Sequence, residues 1–398
     1  MEHSDSFTLS ANTIMSKQTY RFLLRPLDKV FFGGEKSPFI DEDYYLRSHF
    51  MPQQTTLLGF LRYWLLLKGG LLQDAQRKGW TELIGQQSFS GNPSQSFGAI
   101  QRLSPLRIAQ LRDRAEVLDD YYMGERESSL SVQQVSSKVK IALGDGNIYD
   151  QSFALFKEGD YAFDGKNQGL RGDFKPGFWN LQKGYLGICA PAESAPTLIE
   201  DAATQSPTVF LKATKPGITK NYGGESKEDG YFKTEYYRMK PQFAYSFLVE
   251  LEEDLLPKSF AEPGFCRFGG DGGSVAVTVL SEPSAWDRTD AKGDVFFLLS
   301  DTLVDADVYQ HCAATRVKVV HFRNLRTQNS DTNFSRRPRM WYHSQSDPQH
   351  SNSGKTMLQK GSLLIAKPGQ AEQLQQCLQQ PAYYKIGYNH FIRLNQLP

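Results

Sequence analysis

The chain has little of what metal, cofactor or nucleophilic chemistry needs. Its four cysteines, Cys189, Cys266, Cys312 and Cys377, lie far apart, with no Cys-x-x-Cys pair and no paired histidines beside them. That spacing excludes a zinc-finger or dithiol motif and reads as reduced thiols in a cytoplasmic compartment. The seven histidines are dispersed, no Gly-x-Ser-x-Gly elbow occurs, no Gly-Lys-Ser/Thr follows the glycine run at 269–273, and nothing in the pattern calls for a cofactor. Excess charge of one sign is missing too: 45 Lys and Arg stand against 44 Asp and Glu. A free-standing, non-specific nucleic-acid binder is normally basic, so any such contact has to come from local patches. Long apolar runs are also lacking. The most apolar stretch, residues 57–72, is interrupted by Arg62, Lys68, Gly69 and Gly70 and is too short to span a bilayer. Residues 1–18 are polar, without the apolar segment of a secretory signal, and are expected to be a disordered leader.

What is present is a chain of 398 residues with 39% hydrophobic and 13% aromatic residues, enough for two domains or one large one. Residues 20–26 alternate Tyr20, Phe22 and Leu24 with Arg21, Leu23 and Arg25, the pattern of a strand. After a glycine turn, Pro52 leads into a helix with an apolar stripe of Leu57, Leu58, Leu61, Trp64 and Leu65. Thr55 or Thr56 is its expected cap and Gly69-Gly70 its end. Strand, glycine turn and helix open a β-α-β arrangement, the ferredoxin-like type included. Residues 97–107 read as a strand pair around Pro105, 113–127 as a charged, solvated connection, and 175–181 as a Pro-Gly turn. Residues 190–206 read as a linker. Further strands are expected at 208–213, 244–251, 274–280, 295–299, 316–322 and 362–366, and a short helix at 372–378. The polar segment 327–359 reads as a long surface insertion.

The sharpest local signal is Phe268-Gly269-Gly270-Asp271-Gly272-Gly273, running into a strand. Glycines there permit positive φ and bare main-chain N–H groups that suit phosphate or ribose. By itself, the run is also at home in a plain hairpin or bulge. Gly33-Gly34-Glu35-Lys36, Lys360-Gly361-Ser362 and Ile386-Gly387-Tyr388-Asn389 resemble it. Basic residues accompany these turns. Between Arg316 and Arg339 stand seven Lys or Arg, among them Arg326, Arg336, Arg337 and Arg339, against the single acid Asp331, with Phe322, Phe334, Trp341 and Tyr342 interleaved or flanking. Arginine mixed with aromatics can pair with phosphates and stack on unpaired bases, or dock another protein. Arg47-Ser48-His49 and the stretch with Lys233, Arg238 and Lys240 are smaller patches of the same kind. His49, His311 or His321 could act as the base of metal-independent RNA cleavage, although a lone histidine is more often structural.

The order of these features resembles a known family. Arg25-Pro26-Leu27-Asp28, Phe31-Phe32, Lys36-Ser37-Pro38-Phe39, Arg47-Ser48 and the proline-led stretch 52–62 look like the third subunit of Cmr-type (type III-B) CRISPR effector complexes. Gly230 to Glu235, Arg238-Met239, the loop 269–273, Gly361-Ser362 and Gly387-Tyr388-Asn389 follow in that family's order. The resemblance spans about residues 20–393. It implies a repeat-associated (RAMP) protein, α+β, with two ferredoxin-like, RRM-related domains at 19–190 and 191–398, glycine-rich loops, and the Arg-rich insertion at 327–359. It further implies a non-catalytic subunit that binds the 5′ handle of CRISPR RNA and joins the large polymerase-like subunit to the backbone RAMP subunits, with no membrane role. Carried onto this sequence, the RNA-facing residues are Lys36, Arg47, Ser48, Arg238, Lys240, Gly269, Gly270, Asp271, Gly272, Gly273 and Lys360. Arg326, Arg336, Arg337, Arg339 and Trp341 are expected to meet RNA or a partner. Asp271, an acid, fits a phosphate contact poorly and suits a base or ribose hydroxyl. The competing reading is an endoribonuclease that processes precursor CRISPR RNA without metal.

Overall fold

The computed structural model describes residues 16–33, 44–46, 48–73, 79–85, 89, 91–113, 116–127, 132–134, 141–142, 148–149, 161–163, 174–179, 209–220, 226–269, 272–282, 293–322 and 355–394. The protein is α+β and sheet-rich, with few helices. Strand β1 (Lys17–Pro26) starts within the segment expected as a leader. Its alternation splits cleanly by face. Phe22 and Leu24 enter the main core, while Leu23 packs on the other side with Ala109, Leu111 and Ala244. Short strands β2 (Phe32–Gly33), β3 (Tyr44–Leu46) and β4 (Ser48–His49) follow. Helix α1 (Gln54–Lys68) comes next, and Leu57, Leu58, Leu61, Trp64 and Leu65 are all buried along it. Each contributes about 1.5–3 kcal/mol by leaving water. The cap is Gln53, not Thr55 or Thr56, because the Thr56 N–H already bonds the Gln53 carbonyl at 2.9 Å. Gly69 and Gly70, the latter at φ +67°, end the helix as the sequence suggests.

After α2 (Trp80–Ile84) come β5 (Ile100–Leu103), β6 (Arg107–Arg112) and β7 (Glu116–Glu127). Two expectations are corrected here. β5 and β6 are both strands, but each pairs with a later strand rather than with the other. Residues 116–127 are not a solvated connection: Tyr121 and Tyr122 are buried, and so is Asp120, beside Arg21. The Arg107 guanidinium lies 3.5 Å from the same carboxylate. A buried acid persists here because two cations face it. Short strands β8 (Val132–Gln134), β9 (Ile141–Ala142), β10 (Ile148–Tyr149) and β11 (Tyr161–Phe163) pair as β8 with β11 and β9 with β10. The expected Pro-Gly turn is instead strand β12 (Phe174–Trp179), which tolerates Pro176 because it lies at a sheet edge. The expected linker at 190–206 lies outside the described residues.

β13 (Phe210–Lys220) and β14 (Ser226–Met239) form a long hairpin, with β3 on the far side of β14. β15 (Phe243–Glu252), a 3-10 turn (Glu253–Leu255), β16 (Gly264–Arg267) and β17 (Ser274–Ser281) complete an antiparallel sheet ordered β12-β7-β6-β15-β1-β17-β16, with β5 also on β15. That sheet takes strands from both sides of residue 190.

A smaller sheet is built from β18 (Val295–Leu298), β20 (Cys312–Arg316), β23 (Leu363–Ala366) and β24 (Phe391–Leu394), in the order β20-β23-β18-β24. A 3-10 helix (Ala306–His311) lies between β18 and β20, while α3 (Ala371–Leu378) and α4 (Pro381–Tyr384) lie between β23 and β24. β19 (Thr302–Leu303), β21 (Val319–Phe322) and β22 (Lys355–Leu358) make a third layer of pairing. Residues 316–322 thus form parts of two strands, not one. Of the expected insertion, 355–358 is strand β22 and 327–354 lies outside the described residues.

The two main sheets share one plan. Taken in chain order, β1, β6, β15 and β17 stand second-third-first-fourth across the sheet, all antiparallel. So do β18, β20, β23 and β24. Met357, Tyr383, Ile386 and Tyr388 of the second unit join the core of the first, which fixes one unit against the other.

Candidate nucleic-acid interface

The glycine run joins β16 to β17, the position between third and fourth strand. The Phe268 N–H bonds the Gly273 carbonyl at 2.7 Å and closes the loop base. Phe268 itself is buried among Phe32 (centroids 5.2 Å apart), Phe60 (5.4 Å) and Tyr245 (6.0 Å), so the loop emerges from a rigid aromatic floor. Gly269 sits at φ +94°, and a Cβ there would lie 2.8 Å from the Phe31 carbonyl oxygen. Any side chain would push the loop off the segment beneath it. Gly272 sits at φ +68° with nothing among the described residues within 4 Å of a Cβ position. Gly270 and Asp271 lie outside the described residues.

Under the loop runs the segment after β1. The Leu27 N–H bonds the Ser274 carbonyl at 3.0 Å. Val30 and Tyr237 exchange two main-chain bonds, at 2.7 and 3.1 Å. Those bonds bring β14 alongside, and the Lys29 ammonium rests 4.3 Å over the Tyr236 ring. Phe31 packs on the same ring at 5.7 Å. Lys29, Tyr236 and Tyr237 carry no motif of their own; only a bridge across some two hundred residues makes them neighbours of the loop.

The expected RNA-facing residues divide. Ser48 is buried: its hydroxyl accepts the Phe32 N–H at 3.0 Å and donates to the His49 carbonyl at 3.0 Å, so it clips β2 to β4. Arg238 is exposed, one residue beyond Tyr237, and Lys240 is half-buried with its N–H on the Val209 carbonyl at 2.9 Å. Nearby Lys212 is tied to buried Glu235 at 2.6 Å. Lys360 stands elsewhere, in the turn before β23, with its N–H on the Asp301 carboxylate at 2.9 Å. Lys36, Arg47, Arg326, Arg336, Arg337, Arg339 and Trp341 lie outside the described residues. The structure therefore gathers Gly269, Gly272 and Gly273, residues 27–33, Ser48 and the Tyr236–Arg238 stretch at one end of the large sheet.

The second glycine turn is not open. Gly387 has φ +89°, and a Cβ would fall 2.4 Å from the Gln54 Nε2 and 2.7 Å from the Ser104 carbonyl oxygen. Gln54 Nε2 donates to both the Gly387 and Ser104 carbonyls, at 2.8 and 3.2 Å. Asn389, at φ +58°, is buried and bonds Leu303 and Leu378 through its amide. This turn locks the second unit onto the start of α1.

His311 is held by Gln370 at 3.0 Å, and His390 is stacked on Tyr384 with its Nε2 3.2 Å from that residue's carbonyl oxygen. Among the described residues no group of three or more His, Cys, Asp or Glu is placed to hold a metal ion, and no helix is long and apolar enough to cross a membrane.

Comparison with solved structures gives distant likenesses. One is a chain of a type III-B Cmr-beta complex bound to cognate target RNA, seen by cryo-EM. It is 14% identical with a TM-score of 0.46, over 95% of this chain and 97% of that one. A chain of a Csm3–Csm4 subcomplex from a type III-A interference complex is 10% identical with a TM-score of 0.40, over 87% and 92%. A chain of a Csm1–Csm4 cassette in complex with pppApA is 13% identical with a TM-score of 0.31, over 89% and 88%. No curated protein sequence matches. A family model does: CRISPR-associated protein (Cas_Cmr3) matches residues 22–292, a span that holds the second half of β1, α1, the glycine loop and the other strands of the large sheet. The chain belongs to the Cmr3 family of CRISPR-associated proteins.

Proposed function

We propose that this protein is a non-catalytic subunit of a type III-B CRISPR effector complex that holds the 5′ handle of CRISPR RNA on the face around loop 269–273. On this reading it also anchors the large polymerase-like subunit to the backbone RAMP subunits, in antiviral defence in the cytoplasm. The observation that carries the proposal is the loop itself. Gly269 is pinned on the Phe31 carbonyl while Gly272, three residues on, faces open space at positive φ. A loop fixed at one side and bare at the other offers main-chain N–H groups to phosphate or ribose at no cost in reorganisation. Lys29 and Arg238 supply positive charge beside it, and Lys36, Arg47, Gly270 and Asp271 enter as further RNA contacts; Lys360, in the turn before β23, is proposed as a separate contact away from that face. Arg326, Arg336, Arg337, Arg339 and Trp341 are proposed to meet RNA or a neighbouring subunit. Ser48 enters as a positioning residue, through its hold on Phe32.

Both four-stranded sets are read as ferredoxin-like. Each has the strand order of that fold, and each carries a regular helix in only one of its two connections. We place the second unit at 295–394, later than the division at 190 and 191 that the sequence suggested.

The test uses the assembled complex. Gly272→Asp keeps a residue that tolerates positive φ but adds a negative charge where phosphate is expected; Gly272→Asn is its neutral control. Loss of RNA-handle protection from ribonuclease in the Asp variant, with the Asn variant normal, supports the reading. Equal protection in both removes the loop from the RNA site. Incubating the isolated chain with repeat RNA in EDTA separates the competing enzyme, which would give a single-site cut.

A further inference from the structure

The β16–β17 hairpin that carries the glycine loop also has an outer face, turned away from α1. Gly264 and Cys266 point to the helix side: a Cβ on Gly264 would lie 3.1 Å from the Trp64 ring, and Cys266 is buried. By the two-residue period, Phe265 and Arg267 face outward. Register then builds two cross-strand rows. Arg25, Ala276 and Phe265 stand opposite one another across β1, β17 and β16. Ser274 stands opposite Arg267, and Leu27 continues the row through its bond to Ser274.

Elsewhere this face is covered: Leu23, Ala109 and Ala244 are buried. At the hairpin it is bare, with Phe265 70% exposed and Leu27 50%. Phe265 is the most exposed of the large apolar side chains described. Its cross-strand neighbour is only an alanine, which leaves the ring face uncovered. The two rows contain two arginines and no acid, and neither Arg25 nor Arg267 has an ion-pair partner among the described residues. An exposed aromatic flanked by unpaired guanidinium groups complements one ligand chemistry well: an unstacked base with its phosphates.

Resting on the reading of loop 269–273 as the RNA-handle site, we infer that this outer face is a base-stacking subsite for single-stranded RNA. Phe265 stacks on one base, and Arg267 and Arg25 meet the phosphates that flank it. The subsite continues the RNA strand held at the loop, since Phe265 is only four residues from Gly269, at most about 14 Å along the chain. A protein docking on the free edge of β16 is the alternative the experiment must distinguish.

The experiment titrates a 3′-fluorescein-labelled CRISPR RNA onto the full chain and follows anisotropy at several salt concentrations. Five proteins are compared: wild type, Phe265→Ala, Phe265→Trp, Arg267→Gln and Gly272→Asp. Because Phe265 is exposed, its removal leaves the fold intact, which a thermal melt checks. The expected result is about tenfold weaker binding for Phe265→Ala and retention for Phe265→Trp. Arg267→Gln is expected to lower the slope of log affinity against log salt by about one. If Gly272→Asp loses RNA while Phe265→Ala binds like wild type, the subsite is overturned and the loop reading stands. If neither variant differs from wild type, or wild type binds no RNA, both fail. If Phe265→Ala leaves RNA affinity unchanged but reduces co-purification of another subunit, the face is a protein interface and the inference is wrong.

Discussion

The two units share a strand order and differ in where their helix lies. In the first, the connection between first and second strands holds the fifteen-residue α1, while the connection between third and fourth holds only a 3-10 turn, β16 and the glycine loop. The second reverses this, with a 3-10 helix in the first connection and α3 in the second. Each fourth strand is preceded by a glycine turn with left-handed residues, Gly269 and Gly272 before β17, Gly387 and Asn389 before β24. The same topological position therefore serves two ends. In the first unit it stays open beside a missing helix, and in the second it is filled by Gln54 and the Ser104 carbonyl. Openness at Gly272, not glycine content, separates the proposed binding loop from the docking turn.

Changes that break the comparison can be ranked. The largest effect is expected from Trp64→Ala in α1, which empties the core under the first sheet and costs about 4 kcal/mol in a urea unfolding titration. Leu374→Ala, buried in α3, removes a smaller side chain from the second core and costs about 3 kcal/mol. The two glycine turns come next. Gly387→Ala meets both strain and a backbone oxygen and is expected to cost about 2–3 kcal/mol, whereas Gly272→Ala meets only strain and costs about 1 kcal/mol. Equal losses at the two positions would erase the distinction drawn between them. The smallest effect concerns the thiols. Burial pushes Cys266 up to about 11 and Cys312 up to about 12, so the reactive thiolate is scarce in either unit at pH 8. Of the three described cysteines, iodoacetamide at pH 8 should label the partly exposed Cys377 first and reach Cys266 and Cys312 only after denaturation; early labelling of Cys266 would mean that β16 opens.

Much of the frame was legible because it is local. β1, α1, β15, β17 and α3 follow from alternation, an apolar stripe and glycine punctuation. β7 was missed because Glu116, Asp119 and Asp120 look solvated. Asp120 is buried because Arg21, ninety-nine residues away, and Arg107 on the neighbouring strand both face it, and no local pattern encodes the first of these. β12 was missed because Pro176 and Gly177 resemble a turn, and the edge position that admits proline is a property of the finished sheet. The loop at 269–273 was legible as glycine-rich. Its seat on Phe31 and its neighbours Lys29 and Tyr236 depend on the Val30–Tyr237 bridge. Ser48, singled out beside Arg47, turned out to hold backbone.

The most direct test of the central claim is photocrosslinking of the assembled complex, with 4-thiouridine in the 5′ handle of its CRISPR RNA and peptide mapping by mass spectrometry. Crosslinks are expected on peptides carrying residues 27–33, 236–240 and 268–274. Crosslinks confined to the second unit, around Gly387 and α3, or none on this chain, would contradict the account.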